Sequence, residues 1–334
     1  MLKKAISVLK YLLSLGLAFV LLYFAFRNID FVEFLEKSKQ VNYTWVIISI
    51  ALSLVSYYAR AYRWNILMRP LGHPDLSIHR TNLAILVGYL ANLAFPRLGE
   101  VTRCGMMKRY DDVPVSTSLG TVITERLIDL LTLIVLILLT LLVEYDRLMS
   151  FFRDTVSSYI DIDGFAWKFL LILFLGGVLF LGLIYILYIR VQNIRAFIND
   201  MIRGILSLRE IRNIPGFIIS TIILWVTYFF MSYIIVFAVP ETAHLSWGVG
   251  VMLLVTGGIA LAIPVQGGIG TYHALISSML VLYAVDQTTG VFLATLLHTS
   301  QIVAIAAFGG IALIISIFIK REVTEENDQQ HVPE

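Results

Sequence analysis

Cysteine, charge and proline are all scarce in this sequence of 334 residues. The single cysteine, Cys104, excludes an internal disulfide and any Cys-x-x-Cys redox or zinc motif. Charged residues make up only 14%, against about a quarter in soluble domains, and the two signs nearly cancel at a formal net charge of +2. No basic domain is therefore available to hold nucleic acid. P-loop and His-Glu-x-x-His motifs are also missing, so no nucleotide, metal or other cofactor is expected. The remainder is apolar: 58% of residues are hydrophobic and the mean hydropathy is +0.84. Such a balance belongs to an integral membrane protein, and the length of its apolar runs makes it all-α and polytopic.

With 8 prolines in the chain, each one inside an apolar run carries information. Two such prolines sit in stretches that look like copies of one another. Leu93-Ala94-Phe95-Pro96-Arg97-Leu98-Gly99-Glu100-Val101 and Leu261-Ala262-Ile263-Pro264-Val265-Gln266-Gly267-Gly268-Ile269 lie 168 residues apart and share Leu-Ala, an apolar residue, Pro, Gly and a β-branched residue. Proline removes a backbone donor and glycine admits left-handed conformations, so Pro96 and Pro264 mark helix breaks. Interrupted apolar segments at matching places in two halves point to a substrate site in secondary transporters.

Full spans are expected at about 5–26, 44–68, 115–143, 167–189, 215–239 and 290–319, six in all. The segments 80–110 and 248–285 are too broken to span and read as re-entrant hairpins. Loop charge orients them, because Lys and Arg gather on the cytoplasmic side. Lys3 and Lys4 put the N-terminus inside, as an uncleaved first span, and Lys320-Arg321 put the C-terminus inside. Arg69, Arg80, Arg103, Lys108, Arg109 and the arginines of 190–214 also read as cytoplasmic. The acidic loop 144–166 and the segment 240–247 read as outside, and the basic residues of 27–43 are the assignment that fits least well. Repeat one (44–143) then recurs inverted as repeat two (215–319) within a single domain, 1–321. The 190–214 loop has the pattern of an amphipathic surface helix, and the polar tail 322–334 reads as disordered.

The main polar signal inside a span is Glu125-Arg126-Leu127-Ile128-Asp129. At 1.5 Å per residue Glu125 lies about 15 Å deep, and Asp129 shares its face. Ionised groups at that depth face a bundle interior, either as a headgroup or proton site or as an ion pair holding helices in register. Arg97 and Glu100, beside Asn92, flank the first break, where a guanidinium fork suits phosphate; Arg97 can equally pair with Glu100 or Glu125. Arg60 and Arg63, near the cytoplasmic end of the second span, are expected as secondary headgroup contacts that snorkel to the interface, with Trp64 in the aromatic belt. Gly267, Gly268 and Gly270 give a turned backbone able to line a cavity, with His273 just beyond and His298 in the last span.

The ordered pattern Asn92-x-x-x-Pro96-Arg97-x-Gly99-Glu100, then Glu125-Arg126-x-x-Asp129, then Pro264 with Gly267-Gly268-Ile269-Gly270, resembles the membrane portion of bacterial lysylphosphatidylglycerol synthases and their stand-alone flippase-like relatives, over about residues 5–319. The resemblance implies a lipid-translocation domain with inverted repeats. In full-length synthases a soluble aminoacyl-transferase follows, and none is expected in this chain. After the glycines this sequence has Tyr272-His273 where many relatives have Arg-Glu, so the resemblance implies the fold and leaves the lipid open. The leading expectation is a non-enzymatic flippase in the cytoplasmic membrane. It would move an anionic or glycosylated lipid between the hairpins, past Asn92, Arg97, Glu100, Glu125, Arg126, Asp129, the glycines, His273 and His298. An intramembrane enzyme, or a partner subunit of an enzyme that modifies lipids or glycans, is the alternative; the oligomeric state stays open.

Overall fold

The computed structural model describes residues 31–95, 97–147, 211–263 and 265–319, with Tyr23, Gly182 and Arg195. All secondary structure in them is helical. The runs 5–26 and 167–189, most of the 190–214 loop, the tail 322–334 and both Pro96 and Pro264 lie outside the described residues. Nine α-helices are described: α1 (Phe31–Gln40), α2 (Tyr43–Met68), α3 (Ile78–Ala94), α4 (Leu98–Asp111), α5 (Val115–Val143), α6 (Ile214–Val236), α7 (Trp247–Ala262), α8 (Thr271–Leu280) and α9 (Gln287–Phe318). The helices over Tyr43–Leu71, Val115–Val143, Ile214–Val236 and Gln287–Phe318 are long and apolar enough to cross a membrane.

Local chemistry sets the ends of these helices. The Asn42 side chain accepts from the Thr44 amide at 3.2 Å, Asn213 from Gly216 at 3.1 Å and Asp286 from Thr289 at 2.9 Å, each capping a helix N-terminus. Burial is inside out relative to a soluble protein. Ser49, Ser53, Ser56 and Thr121 are buried, while Leu131, Val135, Leu138 and Leu142 of α5 point outward. Small buried residues let α2 and α6 pack closely, and Ser49 Oγ donates to the Met231 carbonyl at 2.8 Å across them.

The contacts sort the helix ends into two groups. At one end, Lys37 meets Glu241 at 2.5 Å, the Asn42 amide donates to the Ala238 carbonyl at 2.9 Å, and Arg147 stacks 4.1 Å over the Tyr283 ring. At the other, Asn65 donates to the Leu76 carbonyl at 2.9 Å, Arg80 pairs with Asp111 at 2.8 Å, Tyr62 meets Asn213 at 3.1 Å and Tyr110 bonds Ser316. Consequently α3 and α4 leave and return at the second end, and α7 and α8 leave and return at the first. The two hairpins enter the bundle from opposite ends. Lys37, an ill-fitting charge in the sequence, is held by Glu241 and by Glu33 at 3.3 Å. Burial opposes the ammonium charge, but the bonds to Glu241 and Glu33 outweigh it and set its pKa above the ordinary lysine value.

Contacts and backbone also match between 43–143 and 214–318. Contacts α2–α3, α3–α4 and α4–α5 have counterparts in α6–α7, α7–α8 and α8–α9, and the α9–α3 contact has its counterpart in α5–α7. Phe95 and Ile263 are both extended after an apolar helix. Left-handed residues follow at Arg97 (φ 64°) and Gly267 (φ 57°), and again beyond each hairpin at Asp112 (φ 54°) and Ala284 (φ 56°).

Candidate functional site at the hairpin tips

The first tip is built on close approach. A Cβ on Gly99 would collide with the Gly88 carbonyl oxygen and lie 2.7 Å from the Asn92 side chain, so only glycine lets α4 start this near α3. Asn92 Oδ1 accepts from the Gly99 amide at 2.7 Å and satisfies a free donor of the α4 N-terminus. Asn92 thus shapes the tip with the atom that would otherwise face a headgroup. Arg97 precedes α4 in a left-handed conformation with an exposed side chain. Among the described residues its guanidinium has no ion-pair partner, and neither of the carboxylates suggested by the sequence meets it.

Glu125 and Asp129 do share a face, and that face looks at arginines. Glu125 Oε1 accepts from Arg60 Nη1 and, at 3.3 Å, from Arg63 Nη2, while Oε2 accepts from Arg103 Nη1 at 2.9 Å. Asp129 accepts from Arg63 Nη2 at 2.7 Å and Arg60 Nη2 at 3.3 Å. Exposure is 0% for Glu125, 4% for Arg60, 0% for Arg63 and 3% for Arg103. Arg60 and Arg63, one helical turn apart on α2, therefore point into the bundle and do not snorkel to an interface. Trp64 is likewise buried: its Nε1 donates to Thr121 Oγ1 at 2.8 Å and the Arg103 guanidinium lies 4.6 Å over its ring. Arg103 corrects the sequence reading most, since it sits inside the hairpin on α4 and not among the cytoplasmic basic residues.

Three buried guanidiniums thus face two carboxylates. Arg60 also donates to Tyr228 OH at 3.0 Å, yet among the described residues Arg60 Nε, Arg63 Nε and Nη1, and Arg103 Nε and Nη2 have no acceptor. The cluster carries one excess positive charge and spare planar donors, which is the chemistry that recognises an anion. Arg126, exposed, ties this cluster to the first tip: its Nε donates to Glu100 at 2.8 Å, and its Nη1 lies 3.9 Å from Asp129.

At the second tip the turn Gln266–Gly268 packs against α3 and α7, so the two hairpins touch through it. Gly267, Gly268 and Gly270 all have positive φ (57°, 73° and 85°), which explains why three glycines occur in four positions. Thr271 Oγ1 donates to the Gly268 carbonyl at 2.9 Å and His298 holds the Gly267 carbonyl. His273 and His298 meet edge to face beside Tyr272, the residue that with His273 follows the glycines.

Comparison with known proteins adds three findings. The sequence profile of the family described as "Lysylphosphatidylglycerol synthase TM region" matches residues 11–309. A UPF0104 membrane protein of Methanocaldococcus jannaschii is 23% identical over 173 residues, 51% of this chain and 48% of that protein, so the chain matches about half the length of this relative. No solved structure matches the chain.

Proposed function

Because the chain belongs to the lysylphosphatidylglycerol synthase transmembrane-region family, we propose that it is a flippase-like transporter that carries an anionic or glycosylated lipid headgroup across the bilayer. It acts as a transporter and not as an enzyme, in the cytoplasmic membrane, with both termini in the cytoplasm. One observation carries the reading. A buried cluster with, among the described residues, an excess arginine and unpartnered N–H donors lies beside two helix-break tips that meet inside the bundle. Matching contacts, hairpins entering from opposite ends and left-handed residues at corresponding places support an inverted repeat with its site at the repeat interface. The headgroup passes along the cluster, and its phosphate replaces a carboxylate as partner for Arg60, Arg63, Arg103 or the exposed Arg97. The lipid tails stay against the outward apolar face of α5 and its neighbours. An enzyme that modifies lipids or glycans is the partner to expect beside it.

The test is lipid movement by the purified full chain in phosphatidylglycerol liposomes. A fluorescent phosphatidylglycerol analogue loaded into the inner leaflet is expected to reach the outer leaflet faster than in empty liposomes. If phosphatidylglycerol and a glycosylated lipid both stay put while the protein is folded, transport is excluded and the partner-subunit reading takes its place.

A further inference from the structure

The second tip is held by a histidine. His298 Nε2 lies 2.8 Å from the Gly267 carbonyl oxygen. A carbonyl only accepts, so Nε2 carries the hydrogen, and in the neutral ring Nδ1 is the open lone pair. That ring stacks on Tyr272, with 5.1 Å between centroids and 20° between planes, and meets His273 edge-on at 5.2 Å and 75°. His298 and His273 are 5% and 6% exposed.

Among the described residues, the helices around them carry little charge. The stretches α6, α7, α8 and α9 contain no Asp, Glu, Lys or Arg, so histidine and tyrosine are their titratable groups. Of the other helices packed on α9, α3 carries His79 and Arg80 at its far end, where Arg80 pairs with Asp111. Helix α2 carries Arg60 and Arg63, held by Glu125 and Asp129. Helix α1 carries Glu33, Glu36, Lys37 and Lys39, and meets α9 through Phe34 and Phe292 near its start.

We propose that His298 and His273 form a single-proton site that couples lipid movement to protonation of the second tip, an inference that rests on the transport reading above. A proton added at His298 Nδ1 leaves the Nε2–H bond to Gly267 in place, and the Tyr272 face favours the resulting cation. A second proton on His273, 5.2 Å away, is opposed by the first, so the pair takes one. A charge created in an apolar wall must then gain a partner or water. The element able to move is the 266–270 turn, three of whose residues lie in left-handed backbone. The proton enters from one face and leaves His298 Nδ1 to water on the other when the turn resets, so that one proton crosses per cycle.

The experiment uses the full chain in phosphatidylglycerol liposomes carrying a fluorescent phosphatidylglycerol analogue and an internal pH dye, between pH 4 and 8. Lipid movement is expected to change through one titration step, by up to about tenfold per pH unit, and to be accompanied by proton movement. His298→Gln, whose amide can still donate to Gly267, and His273→Gln should each flatten that profile. His79→Gln, at a surface histidine bonded to Tyr58, should leave it unchanged. A wild-type rate that is flat with pH, or His298→Gln and His273→Gln proteins that keep the wild-type profile, would overturn the proposal. If no lipid moves at any pH, the transport reading fails, and histidine NMR in nanodiscs judges the proton site separately. One proton shared by the two rings, each titration altered by loss of the other histidine, supports it; two independent titrations, or none, overturn it.

Discussion

Glu125→Gln is expected to destabilise the protein by about 3–5 kcal/mol, a drop large enough to read as a lowered unfolding temperature in detergent, and to abolish lipid movement. Glutamine keeps the shape of the side chain but removes the charge that Arg60, Arg63 and Arg103 converge on. Three buried guanidiniums would then share Asp129 alone, and an uncompensated buried charge costs far more than a lost surface pair. Removing one cation restores the balance. The double variant Glu125→Gln with Arg103→Gln should recover part of the loss, with coupling of about 0.5–3 kcal/mol between contacting partners. A Glu125→Gln protein as stable as wild type but inactive would make Glu125 a headgroup or proton group and not a keystone of the fold. One that is both stable and active would remove it from the site.

The second large effect is on selectivity, at Arg97. Its left-handed φ of 64° is one that glycine adopts freely, so Arg97→Gly should leave unfolding unchanged or slightly raised while deleting the guanidinium. A hydrogen bond to a charged group is worth about 1.5–3 kcal/mol. Movement of phosphate-bearing lipids should therefore slow by roughly 10–100-fold, with an uncharged headgroup analogue barely affected. Arg97→Lys should fall between, keeping the charge and losing the fork. Equal slowing of both lipid classes would mean that Arg97 shapes the tip and touches no phosphate.

Much of this was legible in the chain because membrane burial leaves coarse marks. Apolar runs of span length gave the long helices, and proline and glycine inside apolar segments gave both hairpins, since few other residues stop a helix in an apolar setting. Glu125 and Asp129 announced themselves because ionised groups within a span need partners. Those partners were misjudged for one physical reason. An arginine near the end of a run can snorkel out or turn in, and spacing from the terminus cannot say which. Arg60 and Arg63 turned in, and Arg103 was counted as a loop charge although the tight Gly88–Gly99 contact carries α4 back through the bundle beside Glu125. Even so, the i, i+3 spacing of Arg60 and Arg63 matched the i, i+4 spacing of the acids, a complementarity that two facing helices would need. The histidine pair was harder to read, because Tyr272-His273 and His298 belong to different helices and the packing of α8 on α9 brings them together.

The proposed site between the tips requires two hairpins that enter from opposite faces of one membrane, and site-directed labelling tests that most directly. Cys104 is buried, so a single added cysteine can be read against a quiet background. In intact cells a membrane-impermeant thiol reagent is expected to label cysteine at Ser246, exposed at the start of the second hairpin, and to label cysteine at Lys108, exposed near the end of the first, only after the membrane is opened. Labelling of both positions from the same face would contradict the inverted arrangement, and with it the site between the tips.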